Sequence, residues 1–247
     1  MPGKTAGWRA PFRTAIPPRS FDSGGSMTTV QTEIRICPVC EAHFAVNAVT
    51  SCGSHGADSD FRPHYWGSDP LENLVHSCSE CGFSGYSEDF LEGVPESVIR
   101  KIRKFLTPRL RDLEKPDSGF YKYEFLALIY EWEDRPSLQV GDSFLKASWV
   151  ARKCGNRDKE RLYQREAVRR FEEALEIGEC EESEERAVVS YLVGELHRRL
   201  NRKRRAETWY HRAREEYELL SEVAQDDTAW LGDQIRRQLE SPSDAID

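Results

Sequence analysis

With 247 residues, a formal net charge of -8 and 32% charged residues, the chain has room for one large domain or two small ones, and its composition suits exposed amphipathic helices better than a buried parallel sheet. The acidic balance excludes a global attraction to nucleic acid or to anionic membrane, so any such contact needs a local basic patch. No stretch approaches the roughly 18 uninterrupted apolar residues of a membrane-spanning helix, and no apolar run behind the N-terminal basic residues makes a secretory signal, so a cytoplasmic location is expected.

Residues 1–30 are set apart as a disordered N-terminal extension. Lys4, Arg9, Arg13 and Arg19 precede the first acid, Asp22, as in an organellar transit peptide, but the segment lacks an apolar face. Met27 is followed at once by the strand-like Thr28-Thr29-Val30 and is an alternative start. Residues 31–94 form the expected β module. Ile34-Arg35-Ile36 runs into Cys37 as a short strand, and Phe44 to Val49 reads as its hairpin partner. Residues 51–70 read as a loop, rich in Gly, Ser, Asp and Pro, and Leu74-Val75 leads into a second pair of cysteines as a strand.

Composition changes near residue 95, and residues 95–240 read as helical. Pro95-Glu96 opens a helix with Val98, Ile99, Ile102, Phe105 and Leu106 on one face, Arg100, Lys101, Arg103 and Lys104 on the other, and Pro108 at its end. Further helices are expected at 120–133, 138–154, 158–178, 184–200, 203–221 and 227–240, with short loops that imply antiparallel neighbours, and 241–247 is a disordered tail. The fold class is thus α+β, mostly α: a small zinc-ribbon-like module followed by a tetratricopeptide-like antiparallel helical repeat domain.

Four of the seven cysteines occur as Cys37-Pro38-Val39-Cys40 and Cys78-Ser79-Glu80-Cys81. Two thiolates separated by two residues can point into one turn while the intervening amides offset their charge, and two such turns complete a tetrahedron around Zn2+. Gly82 supplies the positive φ that such a turn adopts. Neither pair opens a helix in a βαβ unit, which argues against a redox dithiol, and four thiolates leave no open position, so one structural Zn2+ per chain is expected. Cys154 and Cys180 read as buried thiols. Cys52 and His55 form a C-x-x-H pair that, with Asp58, Asp60 and His64, is a candidate second metal site or functional loop; loop histidines and turn-capping aspartates are the plainer account.

From Ser190 to Glu216 the helical half carries a repeat: Gly194, a turn at Asn201 seven residues on, then Ala206, Tyr210 and Ala213 at offsets of twelve, sixteen and nineteen. These are the small, bulky and small positions that let two tetratricopeptide helices approach. Ala167, Phe171 and Ala174 repeat the spacing, but about seven residues late relative to the turn at Gly155, and the helix at 227–240 is a cap with Leu231, Ile235 and Leu239 inward. A plain helical bundle is the alternative. His197-Arg198-Arg199 and Arg202 to Arg205 are the one strong basic cluster, straddling a helix turn.

Taken together, Cys37 to Cys40, Asp58-Ser59-Asp60-Phe61-Arg62-Pro63-His64-Tyr65, Asp69-Pro70-Leu71, Cys78 to Phe83, Phe120 to Tyr123, Lys146 to Arg152 and Tyr191 to Leu196 resemble the bacterial family known as domain of unknown function 2225. The resemblance spans about residues 34–215 and implies a bacterial cytoplasmic protein with zinc-binding cysteines and a repeat-like helical half; it implies no activity. The preferred function is an intracellular adaptor that takes a protein or peptide partner on its helical surface, with Trp149, Arg152, Tyr191, Glu195 and Arg198 as candidate contacts. A metal-dependent enzyme using Asp58, Asp60 and His64 and a nucleic-acid-binding regulator using Arg198 to Arg205 are the alternatives, and neither is favoured.

Overall fold

The computed structural model describes residues 27–113 and 119–240. The expected N-terminal extension through residue 26 and the tail at 241–247 lie outside the described residues. The fold is α+β and mostly α, with small antiparallel strand pairs followed by a helical bundle. It divides into two compact units, one reaching to Ile129 and the other starting at Tyr130.

The first unit holds three two-stranded hairpins: β1 (Thr29–Ile36) with β2 (His43–Ser51), β3 (Ser54–Ala57) with β4 (Pro63–Tyr65), and β5 (His76–Ser77) with β6 (Ser84–Gly85). β1 begins at Thr29, so residues expected in the extension belong to a strand whose register runs from Val30 opposite Val49 to Ile36 opposite His43. The stretch 51–70 is not a plain loop. It folds into β3 and β4 around a tight reversal in which Phe61 is left-handed at φ 65 and buried. The approach to the second cysteine pair is a single helical turn, α1 (Leu71–Leu74), whose Leu71 amide donates to Asp69 at 3.0 Å, and the strand starts only at His76.

The next helix corrects the expected stop at Pro108. α2 (Glu96–Lys101) continues through a π-helical segment, Ile102–Leu106, into Thr107–Arg111. Proline has no N–H and its ring collides with the carbonyl four residues back, and the wider i→i−5 register there, with Thr107 N–H donating to Ile102, accommodates both. The extra residue in that turn also rotates Phe105 outward, 47% exposed under Lys104, while Val98, Ile102 and Leu106 stay buried. α3 (Phe120–Trp132) then binds the β module: Tyr123 Oη donates to Leu71 O at 2.7 Å and Lys122 Nζ to Glu72 O at 2.9 Å. These contacts carry the first unit beyond the compositional change at residue 95.

The second unit is built from α4 (Ser137–Lys153), α5 (Arg157–Glu176), α6 (Ser183–Arg199) and α7 (Lys203–Glu218), followed by α8 (Glu222–Asp227) and α9 (Ala229–Glu240). The helix expected at 227–240 is α9, and a further short helix, α8, precedes it, capped by Ser221 and ended at Thr228. α4 packs on α5, α5 on α6 and α6 on α7. Four helix ends close the same way. Asp134, Gly155, Gly178 and Asn201 are left-handed, and the next residue in each case donates to the carbonyl five back, as in Arg135 to Tyr130, Asn156 to Ala151, Glu179 to Ala174 and Arg202 to His197.

The two helical hairpins share one contact. A Cβ on Gly194 would lie 2.8 Å from the Tyr210 ring, and one on Gly141 would lie 2.7 Å from the Phe171 ring. Counted from the turn, Gly194 is seven residues before Asn201 and Tyr210 nine after, whereas Gly141 is fourteen before Gly155 and Phe171 sixteen after. Each arm of the first hairpin is thus seven residues, about two helical turns, longer. This accounts for the late arrival of Ala167. The carboxylate of Glu179 ties the units of this array together by accepting the Ser137 and Leu138 amides at 2.8 and 2.9 Å, at the start of α4. Replacing Gly194 with Val puts a β-branched side chain into the Tyr210 ring, and thermal unfolding should show a loss of about 2–3 kcal/mol.

Candidate metal centre

Each C-x-x-C segment is the reversal of a hairpin, the first between β1 and β2 and the second between β5 and β6. The two reversals carry the same hydrogen bonds. Cys37 N–H donates to Ala42 O at 3.0 Å and Glu41 N–H to Cys37 O at 2.9 Å; Cys78 N–H donates to Phe83 O at 2.8 Å and Gly82 N–H to Cys78 O at 2.9 Å. The residue after each second cysteine is left-handed, Gly82 at φ 83 and Glu41 at φ 59. Glu41 was not singled out from sequence, though aligning Cys37 to Glu41 with Cys78 to Gly82 puts it in the glycine position.

The four Sγ atoms lie within 4.8 Å of one another, with Cys37 to Cys81 at 3.6 Å and Cys40 to Cys78 at 3.5 Å. All four cysteines are free of disulfides, and Cys37, Cys78 and Cys81 are buried. A metal–sulfur bond of about 2.3 Å places the corners of a tetrahedron about 3.8 Å apart, close to the two shortest sulfur pairs, so the set could hold a tetrahedral ion. The Val39 amide points at Cys37 Sγ at 3.5 Å and the Phe83 amide at Cys81 Sγ at 3.4 Å, donors that stabilise thiolate charge. Without a cation the cluster cannot carry four negative charges. Hydrogen bonds from Cys37 and Cys81 pull the Cys78 thiol down to about 2, while the bond to Cys78 pushes Cys37 up to about 12 and the bond to Cys37 raises Cys81. A divalent ion relieves that competition.

Helix α2 holds both reversals. Arg103 donates to the Val39 carbonyl at 3.2 Å, and Thr107 donates to the Cys81 carbonyl at 2.8 Å. Thr107 lies at the end of the π segment and also reaches Ile102 O at 3.4 Å. Gly82 faces Phe125 and Leu106, at 3.2 and 3.4 Å from where a Cβ would be. The contacts of Arg103 and Thr107 with the reversals carry no motif visible in one sequence; they depend on the π register and on contacts across dozens of residues.

Among the described residues these four cysteines are the one group in which three or more Cys, His, Asp or Glu ligand atoms converge. Cys52, His55, Asp58, Asp60 and His64 do not make a second such group. His64 Nε2 and Asp58 Oδ1 are 2.6 Å apart, the His55 and His64 ring centres are 5.8 Å apart, and His55 packs on Trp66 at 4.5 Å. Asp60 is fully buried and Cys52 is exposed, so the β3–β4 reversal spreads these groups instead of focusing them. Cys180 is buried, and burial pushes its thiol up to about 12. Cys154, expected buried, is exposed at the end of α4.

The candidate partner contacts are placed mostly inside. Trp149, Tyr191 and Glu195 are buried, while Arg152 and Arg198 are partly exposed. Arg152 pairs with Glu160 at 2.9 Å. Glu195 is the centre of a closed network: it accepts from Arg198 at 2.8 Å, Arg199 at 2.9 Å and Tyr210 Oη at 2.9 Å. The Glu195 charge is balanced within α6 by Arg198 and Arg199, and the Tyr210 hydroxyl ties it to α7. Truncation to Glu195→Ala leaves Arg198 and Arg199 without their acceptor and should cost about 3–5 kcal/mol in denaturant unfolding. In the metal centre, Glu41→Gly relieves a left-handed side chain and should stabilise the first unit by about 0.5–1 kcal/mol, whereas Gly82→Ala should destabilise it by about 1–2 kcal/mol; hydrogen exchange of the β1–β2 and β5–β6 amides reads both.

No curated protein and no solved structure matches the chain. A family model described as "Uncharacterized protein conserved in bacteria (DUF2225)" matches residues 31–238, which include all four clustered cysteines and every helix of both hairpins. The chain belongs to this bacterial family, DUF2225.

Proposed function

We propose that the protein is an intracellular adaptor in which one Zn2+ organises the first unit and tetratricopeptide-like helical hairpins receive a protein or peptide partner. The observation that carries the metal part is the approach of four sulfurs to tetrahedral spacing. Four thiolates saturate a tetrahedral ion and leave no position for water or substrate, so the metal acts on folding and not on chemistry. Zinc is preferred because thiolate-rich tetrahedral sites suit a borderline-soft ion without redox chemistry. Cys37, Cys40, Cys78 and Cys81 are its ligands, and Arg103 and Thr107 orient the two reversals that present them.

Support for the adaptor part comes from the pair of equivalent hairpins, each with a glycine of the inner helix under an aromatic ring of the outer one. α4 is buried along most of its length, as is α6, and the outward-facing surface of the array is therefore carried by α5, α7 and the turns. A partner binds there, away from Trp149, Tyr191 and Glu195.

Elemental analysis of the purified protein tests the metal. About one zinc per chain is expected for the native protein and almost none for Cys78→Ser, and a strong chelator should abolish exchange protection from residue 29 to residue 111 while the amides of α4 to α7 keep theirs. Iron in place of zinc, or protection that survives complete metal removal, overturns this reading. Cross-linking in the native cell followed by mass spectrometry tests the adaptor: recovery of no cross-linked protein overturns it.

A further inference from the structure

The second unit separates its charge along the helix axes. Successive antiparallel helices put the α4–α5 and α6–α7 turns at one end of the array and the α5–α6 connection at the other. Residues 197–205, around the α6–α7 turn, contain six Lys and Arg and no acid, whereas residues 176–185, leading into α6, contain six Glu and no Lys or Arg. Arg198 and Arg199 turn inward to Glu195, and beyond them Lys203, Arg204 and Arg205 are exposed with Arg202 half-exposed. No acidic residue occurs in the first turn of α7. Asn201 to Arg205 line an open concavity of about 640 Å³.

The opposite end is rich in acids, and part of its charge is paired: Glu179 accepts the Ser137 and Leu138 amides and Arg186 pairs with Glu216. Glu185 is raised above the ordinary carboxylate value by burial and by its neighbours Glu182, Glu181 and Glu179. The two ends are separated by the 16 residues of α7, about 24 Å, which is roughly three Debye lengths at physiological salt. A ligand at the basic end therefore feels the local cations and little of the acidic end or of the net charge of -8.

We propose that this basic end, formed by Arg202 to Arg205, is the adaptor's docking surface for an acidic polypeptide segment, a short run of Asp and Glu. The proposal rests on the adaptor reading above and names its partner's chemistry. Guanidinium groups fanning from one tight turn suit bidentate pairing with carboxylates over a few residues. A nucleic acid fits less well. The concavity has no aromatic lining on which bases stack, and a strand longer than the patch meets Glu207 and Glu172 at its margins.

The test is fluorescence anisotropy of the full chain, zinc-loaded, with a labelled octaglutamate peptide and, separately, a labelled eight-nucleotide single strand. Peptide binding should weaken at least tenfold between 50 and 200 mM salt, and at least tenfold in the Arg202→Glu, Arg204→Glu, Arg205→Glu triple variant, with no change in Glu181→Lys, Glu182→Lys. The oligonucleotide should bind at least tenfold more weakly than the peptide. Circular dichroism checks that the triple variant is folded, and Arg204→Ala, with a smaller loss expected, replaces it if it is not. Peptide affinity unchanged by these substitutions, an equal or tighter oligonucleotide complex, or occupation of the basic end by the acidic end of a second copy, seen as sedimentation of dimers that Glu181→Lys, Glu182→Lys abolishes, overturns the proposal. If the peptide fails while cross-linked protein partners are still recovered, only this surface is wrong; if none is recovered from the native chain, the adaptor reading falls with it.

Discussion

Four sulfurs drawn from two hairpin reversals, 37 residues apart at their inner edges, must occupy one small volume, and the first unit is arranged around that requirement. β5 and β6 contribute two residues each, far too little ladder to persist alone. A metal held by the sulfur cluster would make such a hairpin viable, because it would add folding free energy at the point where apolar burial is least. The same requirement selects the backbone. A thiolate pair needs amides turned toward sulfur and a left-handed residue after the second cysteine, and the chain supplies that residue once as glycine and once, under strain, as Glu41.

The two cysteine reversals also need orientation relative to each other, and that comes from a helix with an irregular register. The π segment lets Pro108 remain inside α2 and sets Thr107 where its hydroxyl reaches the Cys81 carbonyl, while Arg103, one turn earlier, reaches the Val39 carbonyl. A regular α-helix through the same residues would rotate one of these donors away from its acceptor. Because carbonyls of both reversals are bound to one rigid element, a displacement of either sulfur pair is resisted at the backbone and not only at the ion. That division of labour between ligands and supporting hydrogen bonds is general in metal sites.

Much of this was legible in the residues. The C-x-x-C spacing, the helix positions and the Gly194, Ala206, Tyr210, Ala213 pattern all rest on local geometry, which a sequence carries directly. The features that escaped share a dependence on distant contacts or on altered register. Pro108 reads as a stop because ordinary helices exclude it, and only the widened turn reverses that rule. The β3–β4 hairpin has few apolar residues and a reversal built on Phe61 at positive φ, so turn-forming composition hid it. The late position of Ala167 made the first hairpin look degenerate, although both of its arms had lengthened together. Trp149, Tyr191 and Glu195 looked like surface contacts because aromatic and charged residues often are, but Glu195 is neutralised by Arg198, Arg199 and Tyr210 and therefore tolerates complete burial.

This burial has a consequence for how the helical unit can interact. In α4 and α6 the inner faces hold the hairpins together through close glycine–ring contacts, and Arg198 and Arg199 of α6 pair internally with Glu195. The side chains left to meet other molecules are those of the outer helices and of the turns. Turns alternate between the two ends of an antiparallel array, so a sequence that places a run of bases in the α6–α7 turn and a run of acids in the α5–α6 connection produces two opposed surfaces from a single net-acidic chain. Separation by several screening lengths keeps them from cancelling. Net charge therefore says little about what either end attracts, and the placement of the turns, set by the left-handed residues Gly155, Gly178 and Asn201, decides where each charge is displayed.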